Sequence, residues 1–260
     1  MITVITPTVR PEMLQVIIKC LGRQDFKDFE WIIITPENTK LDLSSCYQNG
    51  LSFISAGDPG NMKWLIEPPK REGDFYRLSG ALNKGFQESK GELVVVIMDG
   101  NWFPPDTLSK FWSHYQANPK GLIGSIGHQY DGLDETGKPT DMMWQDPRAR
   151  TDLGTFYEVA PSEIEFSMCS IPKQALLDCG GIDEDYDKGP AVGEKEMCWR
   201  LDKLGYKFYL DQTIEYRAIH HPRLTNDWDD MYHKVTTPMF IEHMRQLSEN
   251  RRLLKLDYVK

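Results

Sequence analysis

The sequence lacks several features that mark large classes of proteins. The sequence contains no cluster of basic residues, and its formal net charge is −9. Both features argue against a protein that binds long nucleic acid through its phosphates. The five cysteines form no C-x-x-C pair, and their odd number favours reduced thiols over a disulfide framework. No long apolar segment and no basic leader are present, so we expect a cytoplasmic protein without stable membrane insertion.

Strand and helix patterns alternate along the chain and predict an α/β fold. Continuous apolar runs at Ile2–Thr6, Phe29–Asn38 and Glu92–Met98 indicate strands buried on both faces, hence a mixed, mainly parallel sheet with helices on both faces. A weaker strand is predicted at Leu51–Ser55, and residues 131–157 are predicted to form a long loop. Further strands are predicted at Leu122–Tyr130, Glu165–Pro172, Lys207–Leu210 and Ile214–Ile219, and helices at Pro11–Leu21, Phe75–Ser89, 105–117, Gly193–Gly205 and Thr237–Leu254, with a short helix stopped by Gly180.

Polar residues follow the predicted strands at the points where they end. Asp99, Gly100 and Asn101 come directly after the apolar run of Glu92–Met98. Pro7-Thr8 and Thr35-Pro36-Glu37 end the first two strands in the same way. Because ligands of open α/β sheets bind beyond the carboxyl ends of the strands, these residues are candidates for a binding crevice. Asp-Gly and Gly-Asn also form simple turns, so turn chemistry alone leaves a structural explanation open.

The order of these segments resembles glycosyltransferase family 2, which has the GT-A fold. The segment "ITVITPT" resembles the family's first strand, and "GALNKGFQESKGELVVVIMDGNWFPPDTL" resembles its A-x-N-x-G helix followed by the strand with the D-x-D motif. The segments "GGIDED" and "GEKEMCWRLDKLGYKFYL" resemble its later acidic loop and helix, and "AIHHPR" lies where a histidine often completes the metal site. The resemblance covers roughly Ile2 to Arg223 and implies a GT-A domain at residues 1–223. Residues 224–260 have no assignment from it, and the amphipathic pattern of the tail predicts a C-terminal helical extension packed on the domain.

The resemblance implies a sugar donor held as a nucleotide diphosphate. A divalent ion, Mn²⁺ or Mg²⁺, would stabilise the departing diphosphate, with Asp99, Asn101 and either His220 or His221 as its protein ligands. The donor-binding residues implied in this way are Pro7, Thr8, Arg10, Thr35, Glu37, Asn83, Asp99, Gly100 and Asn101.

Two glutamates at the start of a predicted helix are candidates for the catalytic base. Glu194 and Glu196 lie where unpaired helical N–H groups favour negative charge, although a solvated first turn is an alternative. Alignment on Cys198-Trp199-Arg200-Leu201 puts Glu194 at the family's base position, with Glu196 as the second candidate. Such a base would deprotonate an acceptor hydroxyl, and a single displacement would invert the anomeric centre.

The sequence departs from the family pattern at several positions. Thr35-Pro36-Glu37-Asn38 stands where the family often has Asp-Asp-Gly-Ser, and Asn101 replaces the last aspartate of D-x-D. Gly80 stands where many relatives have an aspartate, and the Q-x-x-R-W motif of processive members is absent, so we expect non-processive transfer.

These departures leave alternative functions open. A non-catalytic nucleotide- or glycan-binding descendant of the same fold is the main alternative. A nucleotidyltransferase is less favoured because no glycine-rich loop follows the first strand, and a dinucleotide dehydrogenase because no G-x-G-x-x-G follows a strand. The acceptor stays open between a glycan, a lipid-linked sugar, a protein and a modified nucleobase.

Overall fold

The computed structural model describes residues 1–46, 50–51, 54–55, 58–134, 138–190, 192–221 and 227–260. The strands are β1 (Ile2–Pro7), β2 (Phe29–Thr35), β3 (Ile54–Ser55), β4 (Asp58–Pro59), β5 (Met62–Ile66), β6 (Leu93–Ile97), β7 (Asn101–Trp102), β8 (Gly121–Tyr130), β9 (Met142–Trp144), β10 (Phe156–Glu158), β11 (Met168–Pro172) and β12 (Lys207–Ile219). The α-helices are α1 (Leu14–Gly22), α2 (Leu78–Glu88), α3 (Thr107–Ala117), α4 (Lys173–Cys179), α5 (Gly193–Lys203), α6 (Trp228–Met231) and α7 (Thr237–Ser248). Short 3₁₀ helices occupy Pro11–Met13, Thr151–Leu153, Pro161–Glu163 and Glu184–Lys188, and a π-helix occupies Tyr232–Thr236.

One mixed sheet organises the described chain, in the order β10-β12-β8-β11-β6-β1-β2-β5. The four strands β6, β1, β2 and β5 are parallel, as is the long β8–β12 ladder, whereas β11 runs antiparallel between β6 and β8. This arrangement confirms the predicted α/β class and the mainly parallel sheet. Within the described residues, no helix combines the length and the apolarity needed to cross a bilayer.

Successive side chains of the central strands pack alternately into two hydrophobic cores, one on each face of the sheet. Val4 and Val95 pack into the core that α1 and α3 cover, whereas Ile5 and Val94 pack into the core that α2, α4 and α5 cover. Because successive strand residues point to opposite faces, a strand buried on both faces must be apolar throughout. The continuous apolar runs of the sequence follow from this two-sided burial. All five cysteines are buried free thiols.

Several predicted elements differ from the observed ones, and the two strands predicted at Lys207–Leu210 and Ile214–Ile219 form the single strand β12. The predicted strand at Leu51–Ser55 lies partly outside the described residues, and the third parallel strand is β5 instead. The predicted loop at 131–157 contains the short strands β9 and most of β10. The predicted helix at Thr237–Leu254 is too long, because α7 ends at Ser248 and Asn250 adopts a left-handed backbone with φ of 55°.

Residues 250–260, which we call the C-terminal strap, run back across the loop after α4. The backbone N–H of Leu256 donates to the Cys179 carbonyl at 2.9 Å, and those of Tyr258 and Val259 donate to the Gly180 carbonyl at 3.1 Å. Val259 is buried in the core beneath α2, α4 and α5. The strap therefore fixes the loop that links α4 to the acidic segment after Gly181.

Replacement of Gly180 by alanine is expected to release the strap. Gly180 has φ of +68°, and a Cβ atom there would lie 1.6 Å from the Leu256 carbonyl oxygen, so the strap must move. Gly205 is a matched control, because it has φ of +85° and no atom lies within 4 Å of its Cβ position. Gly205→Ala carries only the left-handed backbone penalty, about 1–2 kcal/mol.

Urea unfolding and limited proteolysis of the two variants test this expectation. Gly180→Ala should lose more unfolding free energy than Gly205→Ala and should be cleaved within residues 250–260. Equal stability losses and an uncleaved strap would show that the contact at Gly180 contributes nothing beyond its backbone conformation.

Candidate active site

The carboxyl ends of β1 and β6 open into a cleft of about 960 Å³. The parallel register of these strands, with Ile5 opposite Val96, brings the residues after them to the same edge of the sheet. The cleft is lined by seven of the predicted site residues: Pro7, Thr8, Arg10, Asp99, Asn101, Glu194 and His221. The strand ends, the start of α5 and the end of β12 thus contribute to one concave site.

Asp99 lies at the β1 side of the cleft in a nearly buried position. The Thr8 hydroxyl donates to Asp99 Oδ2 at 2.6 Å, and Arg10 Nη1 lies 3.9 Å from Asp99 Oδ1. Burial raises the pKa of Asp99, while the Thr8 hydrogen bond and the charges of Arg10 and His221 act in the opposite direction. A ligand that brings positive charge, or an ion, would therefore stabilise the ionised carboxylate.

Arg10 presents unused hydrogen-bond donors in the cleft wall. Its Nε and Nη1 atoms are buried and have no hydrogen-bond partner in the described part of the chain. The 3.9 Å separation from Asp99 is an ion pair but too long for a hydrogen bond. Because buried donors are normally paired, these two N–H groups indicate an acceptor that comes with a ligand, and a phosphate matches the guanidinium best.

Gly100 and Asn101 shape the turn between β6 and β7. Gly100 has φ of +73°, and a Cβ atom there would lie 2.7 Å from Met13 Cε. The Asn101 side chain is buried and its Nδ2 donates to the Ser167 carbonyl at 2.8 Å, which leaves Oδ1 as its atom for a metal ion or a ligand donor. Asp99-Gly100-Asn101 is therefore both a tight turn and part of the cleft wall, although Gly100 itself does not line the cleft.

Glu194 lies in the first turn of α5 and lines the cleft. Among the described residues, no side chain donates a hydrogen bond to its carboxylate. Burial raises the pKa of Glu194, and the nearby Glu165 raises it further, whereas a backbone N–H and Lys195 lower it. A carboxylate with a raised pKa and no side-chain donor is suited to accept a proton from a ligand.

Glu196 belongs to a buried ion-pair network and not to the cleft lining. Arg200 Nε donates to both of its carboxylate oxygens at 3.0 and 2.9 Å, and Arg252 Nε donates to Oε1 at 3.1 Å. Arg252 also pairs with Asp183, so the C-terminal strap is joined to α5 and to the acidic loop. The prediction of Glu196 as the second candidate base is thereby corrected, because both of its oxygens are used by arginines.

The two histidines after β12 take different positions. His221 lines the cleft, and its charge lowers the pKa of Asp99. His220 is exposed outside the lining, and its Nδ1 lies 3.1 Å from Gln129 Nε2. Of the two candidate ligands, His221 is therefore the one that shares the cleft with Asp99.

Four other predicted residues do not line the cleft: Thr35, Glu37, Asn83 and Gly100. Asn83 is buried, and its amide exchanges hydrogen bonds of 2.8 and 2.9 Å with the Ile182 backbone, so it positions the loop after α4. Thr35 accepts a hydrogen bond from Trp64 Nε1 at 2.9 Å, and Glu37 is exposed. Pro36, between these two residues, does line the cleft.

Sequence reasoning missed an arginine–aspartate pair in the cleft wall. Arg77 Nη1 donates to Asp187 Oδ2 at 2.9 Å, and the backbone N–H groups of Ser79 and Gly80 also donate to this carboxylate. Burial raises the pKa of Asp187 to about 6, against these three donors. A Cβ atom at Gly80 would lie 2.4 Å from Arg77 Nη2, so a side chain at this position would displace the arginine. These partners are too far apart in the chain for a local signal.

Glu165 and two aromatic residues of the C-terminal segment were also missed. Glu165 was assigned to a strand, but β11 begins only at Met168, and Glu165 lines the cleft beside Arg148 at 3.2 Å. Trp228 and Tyr232 line the cleft from a segment that the family resemblance did not cover.

The described residues include no cluster of three or more His, Cys, Asp or Glu side chains that could hold a metal ion. Asp99, Asn101 and His221 nevertheless share the cleft. Mg²⁺-type ions often bind through one or two carboxylates and complete their shell with substrate phosphates. The donor set therefore fits an ion that arrives with a phosphorylated ligand better than a resident metal centre.

Three solved structures share this architecture with the chain. TarS 1–349 of S. aureus in complex with UDP-GlcNAc has a TM-score of 0.61 and 15% identity over 95% of this chain and 65% of its own. The mannosyltransferase PcManGT of Pyrobaculum calidifontis in complex with GDP-Man and Mn²⁺ has a TM-score of 0.60 and 17% identity over 95% of this chain and 64% of its own. GalNAc-T7 with UDP, GalNAc and Mn²⁺ has a TM-score of 0.62 and 12% identity over 95% of this chain and 48% of its own.

The chain spans less than two thirds of the length of each of these three structures. Comparison with curated protein sequences gave no match. Residues 63–178 match the family described as Glycosyl transferase family 2, a segment that includes α2, β6 and the Asp99-Gly100-Asn101 turn. The chain therefore has the GT-A fold, and its residues 63–178 are similar to glycosyltransferase family 2.

Proposed function

We propose that the chain transfers a sugar from a nucleotide-diphosphate sugar to an acceptor hydroxyl, with inversion and without processive polymerisation. The observation that carries this proposal is that two buried donors of Arg10 without a hydrogen-bond partner share one cleft with the Glu194 carboxylate, whose pKa burial raises. The Arg10 donors suit a diphosphate, and the Glu194 carboxylate suits removal of a proton from the acceptor. Structural neighbours in complex with UDP-GlcNAc and GDP-Man support a nucleotide-sugar donor.

The donor diphosphate would lie beside Arg10 and Asp99. Arg10 Nε and Nη1 would donate to phosphate oxygens, and the Thr8 hydrogen bond would hold the Asp99 carboxylate in place. If a divalent ion accompanies the diphosphate, Asp99, Asn101 and His221 would hold it, and it would supply stabilisation of the leaving-group charge. The Mn²⁺ in the PcManGT and GalNAc-T7 structures supports such an ion.

Glu194 would act as the catalytic base. Its carboxylate takes the proton of the acceptor hydroxyl while that oxygen bonds to the anomeric carbon. The bond between the anomeric carbon and the diphosphate oxygen breaks, and the nucleoside diphosphate leaves with the electron pair. Attack from the face opposite the leaving group inverts the anomeric centre.

A non-catalytic nucleotide- or glycan-binding protein is the second candidate. It is favoured by Asn101, a neutral side chain in place of the second D-x-D carboxylate. The two functions differ in donor chemistry, because a transferase with Mn²⁺ present is expected to hydrolyse its donor slowly, whereas a binding protein leaves the donor intact.

Replacement of Arg10 by glutamine tests the donor site. Hydrogen bonds to charged groups contribute about 1.5–3 kcal/mol, so nucleotide affinity should fall by about tenfold or more. The measurement is a thermal-shift screen of UDP and GDP sugars with and without Mn²⁺, followed by calorimetry on the nucleotide that stabilises the protein most.

Arg23→Gln is the matched control, because Arg23 is exposed at the end of α1 and does not line the cleft. Affinity in this variant should equal that of the unmodified chain. Stabilisation by none of the nucleotide sugars, or equal affinity in Arg10→Gln, would contradict the assigned donor site.

A further inference from the structure

The stacked pair of Trp228 and Tyr232 lies in the cleft wall. The two rings are 5.2 Å apart at an interplanar angle of 11°, and both side chains are partly exposed. Both residues line the same cleft as Asp99 and Glu194. The donor chemistry proposed above uses neither ring.

Core packing does not account for this aromatic pair. Trp228 and Tyr232 belong to neither of the two hydrophobic cores, nor to the partly buried side chains packed against them. The same holds for Phe75 and Tyr76, whose rings lie 4.6 Å apart edge to face and also line the cleft. Aromatic side chains that are half-exposed in a cleft and lie outside the hydrophobic cores often contact a ligand.

The aromatic pair is attached to the wall that carries Glu194. A Cβ atom at Gly189 would lie 2.8 Å from Thr236 Cγ2 and 3.4 Å from the Met231 carbonyl oxygen, so this loop packs directly on the turns that contain Tyr232. Gly189 and Pro190 line the cleft and lead into Glu194. The acceptor hydroxyl must reach Glu194, so a second ligand would lie on this side of the cleft.

The charged residues of the cleft wall offer hydrogen-bond partners to this second ligand. Glu67, Glu165 and Glu194 line the cleft in addition to Asp99 and Asp187, and the whole chain has a net charge of −9. Arg10, Lys70, Arg77 and Lys195 also line it, so the wall carries both signs of charge and offers hydrogen-bond donors and acceptors to hydroxyl groups. A neutral sugar ring offers both an apolar C–H face for stacking and hydroxyl donors at its edge.

We propose that Trp228 and Tyr232 form the acceptor subsite and that the acceptor presents a neutral saccharide ring, which stacks on this pair with a hydroxyl directed at Glu194. This inference rests on the proposed transferase function.

The test compares Trp228→Ala with Trp228→Phe, and uses Trp144→Ala as the control. Trp144 is exposed on β9 and does not line the cleft. The acceptor probes are methyl glycosides of common neutral hexoses and pentoses, assayed with the best-binding nucleotide sugar. Trp228→Ala should raise the acceptor KM by about tenfold or more, equivalent to about 1.4 kcal/mol of lost binding, while the nucleotide Kd stays unchanged.

The acceptor KM is also measured for Trp228→Phe and for the control Trp144→Ala. Trp228→Phe should restore most of the acceptor affinity because it keeps a ring, and Trp144→Ala should equal the unmodified chain. An unchanged acceptor KM in Trp228→Ala overturns the subsite. The subsite is also overturned if the unmodified chain binds and hydrolyses the donor, but no glycoside of the panel accepts a sugar and none quenches tryptophan fluorescence. Failure of every nucleotide sugar to bind the unmodified chain instead overturns the transferase function.

Discussion

Replacement of Glu194 by glutamine is expected to reduce kcat by about 10²–10⁴-fold, the usual contribution of a general base. Glutamine keeps the size of the side chain but cannot take the acceptor proton. Nucleotide affinity should be unchanged, because Glu194 lies at the start of α5 and not beside Arg10 and Asp99. The measurement is steady-state transfer together with calorimetry of nucleotide binding.

The pH profile gives the same prediction a second readout. Burial raises the pKa of Glu194 above the ordinary glutamate value of 4.5, and Glu165 adds to this effect. A base must be ionised to accept a proton, so activity should be lost as the pH falls through this raised pKa. At saturating donor, the acidic limb of kcat/KM for the acceptor should therefore lie above pH 4.5, and a limb at or below that value contradicts the assignment.

Two further variants separate Glu194 from other carboxylates. Glu158→Gln is a surface control, because Glu158 is exposed on β10 and pairs only with exposed Lys207 among the described residues. Its turnover should equal that of the unmodified chain. Glu165 is the rival base in the same cleft, and a loss of turnover in Glu165→Gln with normal turnover in Glu194→Gln would transfer the role to Glu165.

Replacement of Arg200 by methionine is expected to destabilise the fold by about 3–5 kcal/mol, the usual effect of removing one partner of a buried ion pair. The Arg200 side chain is fully buried. Its Nε binds both Glu196 oxygens, Nη1 donates to the Cys179 carbonyl at 2.7 Å, and Nη2 donates to the Gly181 carbonyl at 2.7 Å. Methionine would fill most of the volume but would leave these acceptors without their main donor.

Arg245→Met is the matched control for Arg200→Met. Arg245 also forms two ion pairs within its helix, with Glu242 and Glu249, but all three side chains are nearly half exposed. Exposed pairs contribute little because water screens them, so its urea midpoint should change little. Similar midpoint shifts in the two variants would show that the buried network does not stabilise the fold as described.

The fold was predictable where strands are buried on both faces, because such strands are apolar at every position. β1, β2 and β6 are continuous apolar runs because both faces of the sheet are covered. β5 was missed because it lies at the sheet edge, where only Met62 is buried and Trp64 and Ile66 are exposed. A short edge strand has neither a continuous apolar run nor a clean alternation, so its pattern resembles a loop.

The candidate site was predictable only in part, for a related reason. The position of Asp99 in the cleft was predictable because it follows a strand end, and that of Glu194 because it starts a helix in a segment that resembles the family. The roles of Asn83, Glu196 and Asp187 depend instead on partners far away in the chain, such as Arg252 for Glu196. Likewise, nothing in the local sequence around Trp228 indicates that it reaches the cleft. Side-chain partners of this kind are fixed by tertiary packing, which periodicity does not describe.

The most direct test of the account is a crystal structure of the chain with the nucleotide sugar that binds it most tightly. The account predicts the diphosphate within hydrogen-bonding distance of Arg10 Nε or Nη1, beside Asp99, and the sugar between that point and Glu194. A nucleotide bound elsewhere on the chain, with this cleft empty at concentrations where calorimetry shows saturation, would contradict it.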